Sequence, residues 1–406
     1  MRKLVYILFT VFALLLVMSC SRSVDKRLVL ADTLMWVNPD SSLTILNAIN
    51  HDSLQGDENQ AYFALLLTQA QFRCKGNCDS DTLIDFALNH YSDNHNHEHY
   101  TRALLYKGAY YEFNNQPVEA IKWYKLAEDN ADTTDYRNLA QINMRMGMLY
   151  FNNYASNNLD LNKFLMATHY YEILNDKRMV MESLRYCANV IRITNLDEAS
   201  KFYEKALATA MELKDTTSIY RIDVCYSLMY IEDSLYTQAK KYILDAFRLN
   251  NRFADNYHYY MLSLIYANQN AVDSAKYFIT LPDKTQNTSY DSLLMYKALR
   301  EISLRENNLK QFHEYDKKFS LISNSLEYNE TKYKLHNSEL EFDKNNKSDA
   351  AKSLGKKQTI ISLLIASVLL LSILFFFLYI KKRNDAKKLI AEIKKERTDK
   401  FDHLNE

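Results

Sequence analysis

Cys74 and Cys78 bracket Lys75-Gly76-Asn77, and His90, His95, His97 and His99 follow them. Two thiols so placed can close a small-loop disulfide if the chain is exported, or join the imidazoles on a zinc ion. Zinc requires three or four of these groups converging on one point, and the Asn-rich run Asn94-His95-Asn96-His97 imposes no fixed spacing. That run reads as a solvated loop entering a helix, so no metal site is expected, while the Cys74–Cys78 disulfide stays open. Cys187 and Cys225 read as small buried hydrophobes. Glycines occur only at 56, 76, 108, 147 and 355, which cannot build a phosphate-cradling loop. No GxxxxGK[ST], GxGxxG, GxSxG or HExxH pattern occurs, and the carboxylates are scattered as helix-surface charge. No catalytic residue and no cofactor are expected; the chain does not read as an enzyme.

The elements that must position these residues are helical. At 48% hydrophobic and 25% charged, 406 residues can bury a large core, which excludes global disorder. Five Gly and three Pro are too few for an α/β nucleotide fold or a β-sandwich, which spend them at nearly every turn. The fold class is therefore all-α, with 31 Tyr and 19 Phe packing between helices. Fifty basic against 50 acidic residues leave no net charge to attract nucleic acid, and none is expected as a partner.

Two segments set an address. Met1-Arg2-Lys3 precedes an uncharged run from 4 to 18 and then Ser19-Cys20: a basic start, an apolar stretch and a small residue before cysteine. Residues 17–20 resemble a bacterial lipobox, in which Cys20 is lipidated and becomes the mature N-terminus. The other reading of 1–20 is an uncleaved anchor helix, and both readings export the chain from residue 21 onward. Residues 359–380 carry no charge and as a helix reach about 33 Å, enough to cross a bilayer core. Seven Lys or Arg in 381–395 against five in 344–358 orient the span only weakly. The exported N-terminus decides it: an inner-membrane protein with 21–358 in the periplasm and the charged tail 381–406 in the cytoplasm.

Between these segments the sequence repeats. Leu104, Gly108, Tyr111, Ala120, Tyr124 and Ala127 fall at offsets −4, 0, +3, +12, +16 and +19 from Gly108. This resembles the tetratricopeptide repeat, a helix-turn-helix in which small residues let two helices approach and aromatics fill the gap. Gly147 with Tyr150, Cys187 with Ala199, Tyr203 and Ala206, Ser227 with Tyr230, Ala239 and Ala246, and Ser263 with Tyr266 and Ala275 continue the columns. Ala167 lies 20 residues after Gly147 where the pattern expects 12, which predicts an eight-residue insertion forming an extended turn within 152–163. Degenerate pairs are expected at 57–91 and 292–319, and a capping pair split at Asn38-Pro39-Asp40, about seven pairs in all. The organisation read from sequence is a signal segment 1–20, a repeat array 21–320, a helical stalk 321–358, a transmembrane helix 359–380 and a short tail 381–406.

The stretches 31–46, 61–73 and 80–91 resemble exported tetratricopeptide proteins of bacterial envelopes that join a periplasmic array to a membrane helix. Members of that group usually continue into a histidine kinase or a helix-turn-helix DNA-binding domain, for which the 26 residues after Ile380 are too few. The expected function is a membrane-anchored scaffold binding a protein or peptide partner without catalysis. The alternative is a sensor stub relaying ligand binding to a separate kinase or regulator. The resemblance places a ligand on the concave face of the first helices, where the anchors would present Arg102, Met144, Met148, Arg221, Tyr257, Tyr260 and Asn268. Asp-Ser and Asp-Thr steps at 52, 81, 233 and 291 resemble O-glycosylation acceptors and are also ordinary helix caps.

Overall fold

A computed structural model describes residues 24–327 except 79, 93–95, 154–157 and 251–253, and beyond them 337–338, 341–344, 363–365, 367–384 and 386–390. Within 24–327 the described residues hold sixteen α-helices and no strand. In chain order they are α1 (Lys26–Leu34), α2 (Pro39–Asn47), α3 (Asp57–Lys75), α4 (Thr82–Ser92), α5 (His97–Phe113), α6 (Pro117–Asn130), α7 (Tyr136–Asn152) and α8 (Leu159–Ile173). The second half comprises α9 (Lys177–Ile191), α10 (Leu196–Glu212), α11 (Thr216–Glu232), α12 (Tyr236–Asn250), α13 (Asn256–Asn268), α14 (Val272–Thr280), α15 (Ser289–Arg305) and α16 (Leu309–Glu327). Consecutive odd and even helices pack as pairs, and the odd helices of successive pairs also touch, as α3 with α5, α5 with α7 and α13 with α15. The result is a TPR-like α-solenoid of eight pairs among the described residues.

Close approach within a pair depends on small residues. A Cβ placed on Gly108 would lie 2.5 Å from ring atoms of Tyr124, and one on Gly147 2.8 Å from the ring of Phe164. Where serine replaces glycine, its hydroxyl donates across the crossing to the facing backbone: Ser227 to the Ala239 carbonyl at 2.9 Å and Ser263 to that of Ala275 at 2.8 Å. The connection after Gly147 is extended, with α7 ending at Asn152 and α8 beginning at Leu159, but the spacing from Gly147 to its facing ring exceeds that from Gly108 by one residue rather than eight. Leu159–Ile173 is already helical, Phe164 occupies the place of Tyr124, and Ala167 therefore matches Ala127 rather than Ala120.

The glycine scarcity is explained at the turns. Asn115, Asn175, Lys214, Ser234, Asn270 and Asn307 all adopt left-handed φ between 53° and 60° without being glycine. In each case the next residue's N–H closes on the carbonyl five residues back, from Gln116 to Tyr111, Asp176 to Tyr171, Asp215 to Ala210, Leu235 to Tyr230, Ala271 to Tyr266 and Asn308 to Ser303, at 2.8–3.0 Å. Asparagine takes the left-handed cap at lower cost than most residues, so four of these six turns use it. Asp176 and Asp215 also accept from the N–H groups of Met179 and Ser218, capping the following helix with the residue that closes the preceding one. Of the four Asp-Ser/Thr steps, Asp291 shares in an N-cap as the third residue of α15, accepting from the Thr288 N–H, and Asp81 immediately precedes α4 with its carbonyl accepting from the Asp85 N–H. Asp233 instead ends α11, and Asp81 pairs with Lys107.

A second compact unit covers 340–406. In it, α17 (Leu363–Ile390) is long and apolar enough to cross a membrane, with side chains such as Leu370 and Phe375 exposed. It extends past the span boundary read from sequence, and α16 likewise runs through the expected start of the stalk to Glu327. Residues 1–20, with Cys20, lie outside the described residues.

Because the Tyr124 ring is fully buried and cannot swing away, Gly108→Ala should lower the urea midpoint. Overpacking outweighs alanine's better helix propensity, leaving a net loss on the order of 1 kcal/mol. Asn115→Gly, which relaxes a left-handed residue, should stay within about 0.5 kcal/mol of the parent. Equal midpoints for Gly108→Ala and the parent would refute the crossing as the constraint.

Candidate functional site

The odd helices α1, α3, α5, α7 and the start of α9 line two hollows of ≈ 940 and ≈ 380 Å³ that share Trp36, Arg137 and Leu174. The wall of the larger is an ion-pair network across distant repeats. Arg102, 3% exposed on α5, grips Asp32 of α1 with both terminal nitrogens, at 2.6 and 3.1 Å, and donates to Gln69 of α3 at 2.6 Å. Tyr62 adds a hydrogen bond to the same carboxylate at 2.6 Å. Burial pulls the Asp32 carboxyl upward, but the bonds from Arg102 and Tyr62 outweigh it and hold it below the usual carboxylate range. Tyr62 in turn stacks on His99, with ring centroids 4.6 Å apart. Burial and the nearby Arg102 charge push the His99 imidazole down to about 4.

Trp36 sits past the end of α1, with the guanidinium carbons of Arg73 and Arg137 at 4.6 and 4.8 Å from its ring centroid. The smaller hollow opens beside it. Its floor is apolar, from Leu105 and Ala109 on α5, Met144 and Met148 on α7, and Met179 on α9, with Tyr106 and Tyr171. Arg73, Arg137 and Arg145 line it as cations and Asp176 as the acid. Arg145 pairs with Glu112 at 3.5 Å, and Glu112 also accepts from the Tyr124 hydroxyl. Tyr106 is deeply buried, which raises its phenol, while Arg73, Arg102 and Arg145 pull the other way. The arrangement has no nucleophile–base pair; it offers an apolar slot beneath a cationic rim.

The residues predicted for the groove divide. Met144 and Met148 meet in the smaller hollow, and Arg102 lines the larger one but is spent on Asp32 and Gln69. Tyr260 is fully buried with its hydroxyl on Asn287 at 3.1 Å, so it is a core residue with no ligand-facing surface. Tyr257 packs half-buried against the core of α11–α15, Asn268 donates to the Leu264 carbonyl at 3.0 Å, and Arg221 is exposed outside both hollows. Sequence reasoning missed Trp36, Arg73, Tyr106, Arg137 and Arg145. One signal was available: the position two residues before the anchors Gly108, Gly147 and Cys187 carries Tyr106, Arg145 and Arg185.

The sulfur and imidazole groups also resolve. Cys74 and Cys78 are not joined in a disulfide: Gly76 turns the chain between them at φ 78°, and the Cys78 thiol donates to the Ser80 carbonyl at 3.4 Å. Cys187 is fully buried and Cys225 half-buried. His90 lies 2.9 Å from Glu58, whereas His95 falls outside the described residues. Among the described residues no group of three His, Cys, Asp or Glu converges for a metal.

His99 faces Tyr62, Tyr91, Arg102, Asp32 and Glu58, and folding depresses its proton affinity. The unfolded chain then binds more protons than the native one between its ordinary value near 6.5 and about 4. Stability should therefore be fully present above pH 6.5 and fall as the pH drops toward 4. His99→Phe, which keeps the stack on Tyr62, should flatten the fall of melting temperature across that window; an unchanged slope would exclude His99 as its source.

No protein-family profile matches this chain, and no curated protein does. Solved structures do match. A Rap protein in complex with competence and sporulation factor aligns with TM-score 0.54 at 15% identity over 78% of this chain and 98% of its own. The apo form of RapI aligns with TM-score 0.58 at 14% over 74% and 98%. The apo quorum sensor NprR from B. thuringiensis aligns with TM-score 0.53 at 14% over 74% and 97%. At such low identity the likeness is one of fold, and it is to the TPR-like α-solenoid that the solved neighbours assign this chain.

Proposed function

We propose that the protein is a non-catalytic scaffold whose solenoid binds a peptide or a peptide segment of a partner protein on its concave face, held in the periplasm by one inner-membrane span. The observation that carries the binding reading is the smaller hollow, where Met144, Met148, Tyr106 and Tyr171 from stacked first helices and their neighbours make a slot ringed by arginine. Methionine and aromatic surfaces adapt to side chains of varied shape, and concave pockets of roughly 300–1,000 Å³ are the usual size for small ligands. The Rap protein that shares the fold was solved with competence and sporulation factor, which lends the same direction. The membrane reading is supported by the uncharged run 359–380, by the apolar length of α17 and by the basic-then-apolar start of the chain.

A photo-crosslinking residue at position 148 of the full chain in native membranes should capture a peptide or protein. The same residue at 126, an exposed position on α6, should not. Equal labelling at both positions, or none at 148, would sink the assignment. Topology is checked separately by protease added to spheroplasts: the solenoid should be digested and an epitope fused after Glu406 should survive, with the reverse pattern overturning the orientation.

A further inference from the structure

We propose that the smaller hollow is a carboxylate site: the guanidinium groups of Arg73 and Arg137 beside Trp36 receive the C-terminal carboxylate of a peptide, and its last side chain enters the slot over Met144 and Met148. This deepens the peptide reading and rests on it. Both guanidiniums lie over the one indole, at 4.6 and 4.8 Å from its centroid. A stacked guanidinium presents its flat face to the ring, so its N–H fork projects sideways and remains available for two parallel bonds to an anion. Arg102 and Arg145 are matched by Asp32 and Glu112, but no ion pair to a carboxylate of the chain is formed by Arg73 or Arg137 among the described residues. The acid of the same rim, Asp176, accepts from the Met179 N–H as the cap of α9. Two like charges held beside one ring repel each other, and an anion bound near them would lessen that repulsion.

The slot says which carboxylate. A volume of ≈ 380 Å³ floored by Leu105, Tyr106, Met144 and Met148 suits an apolar side chain, and the cations line the same hollow. A C-terminal residue carries its carboxylate and its side chain on one Cα, so one residue meets both demands. An internal Asp or Glu would supply the anion but leave the apolar floor to a neighbour.

The test uses the full chain in lipid nanodiscs and three N-terminally labelled hexapeptide pools, randomised at the first four positions and read by fluorescence polarisation. The first pool ends in Ala-Leu as the free acid, the second in Ala-Leu amide and the third in Glu-Leu amide. The free-acid pool should bind about tenfold or more tightly than the Ala-Leu amide, the usual scale for a hydrogen-bonded charge. Arg73→Gln with Arg137→Gln should abolish that difference by weakening the free-acid pool at least to the level of the amide; both sites are exposed, and an unchanged melting temperature checks folding. Acid and amide binding equally to the parent would overturn the carboxylate site and leave the peptide reading standing. The Glu-Leu amide matching the free acid would overturn the C-terminal assignment in favour of a side-chain carboxylate. If none of the pools binds, the peptide reading fails and this proposal fails with it.

Discussion

Every feature of the solenoid depends on how closely the two helices of a pair can cross. Gly108 and Gly147 leave no room for a Cβ against Tyr124 and Phe164, and Ser227 and Ser263 reach the opposite backbone only because the crossing is tight. A bulkier side chain at these columns would push the second helix outward, and the displacement would pass to each later pair because stacking is nearest-neighbour. The aromatics set the other bound. Tyr91, Tyr124, Tyr150, Tyr203 and Tyr260 are fully buried large side chains, so the crossings cannot collapse further either.

The first pair packs on α3 through a shared apolar core of Leu28, Ala31, Leu46, Phe63 and Leu66, and the Arg102–Asp32 bond adds a tie to α5. It joins residues 70 apart in sequence and links α1 to the third pair, while Trp36 meets Arg137 in the fourth. Burying a guanidinium that completely is costly, and the pair regains the cost only through its bidentate geometry and the added bonds from Gln69 and Tyr62. Such a pair contributes less to net stability than a well-packed apolar contact would. Its effect is geometric: other placements of α1 would leave a buried charge without a partner.

The repeat columns were legible because small and aromatic residues recur at fixed offsets wherever helices cross, whatever lies on the surface. Legibility failed where a column was read one step out of phase: Ala167 was matched to Ala120, and an insertion was inferred that the helix Leu159–Ile173 does not contain. The site was legible only in part. Met144 and Met148 lie on the face that the anchors indicate, but Tyr260 sits at the same offset as Met144 and is swallowed by its neighbours. Offset fixes direction relative to the pair, whereas exposure depends on how the next pair stacks. Trp36 could not be found by columns, since it lies in the irregular stretch after α1, outside any repeat. Nor does spacing announce that Cys78 will bond to Ser80 instead of its fellow thiol.

The network around Arg102 and the rim around Trp36 use arginine in opposite ways, and the difference lies in burial. Arg102 is withdrawn from water, so a carboxylate had to be built into the chain beside it and its role is fixed at folding. Arg73 and Arg137 stay exposed at one edge, where water can satisfy their N–H groups and the indole shields one face, so no internal acid is required. Both arrangements meet at α1, which carries Asp32 toward one hollow and leads into Trp36 beside the other. α1 thus takes part in both, through Asp32 itself and through Trp36 just beyond its end.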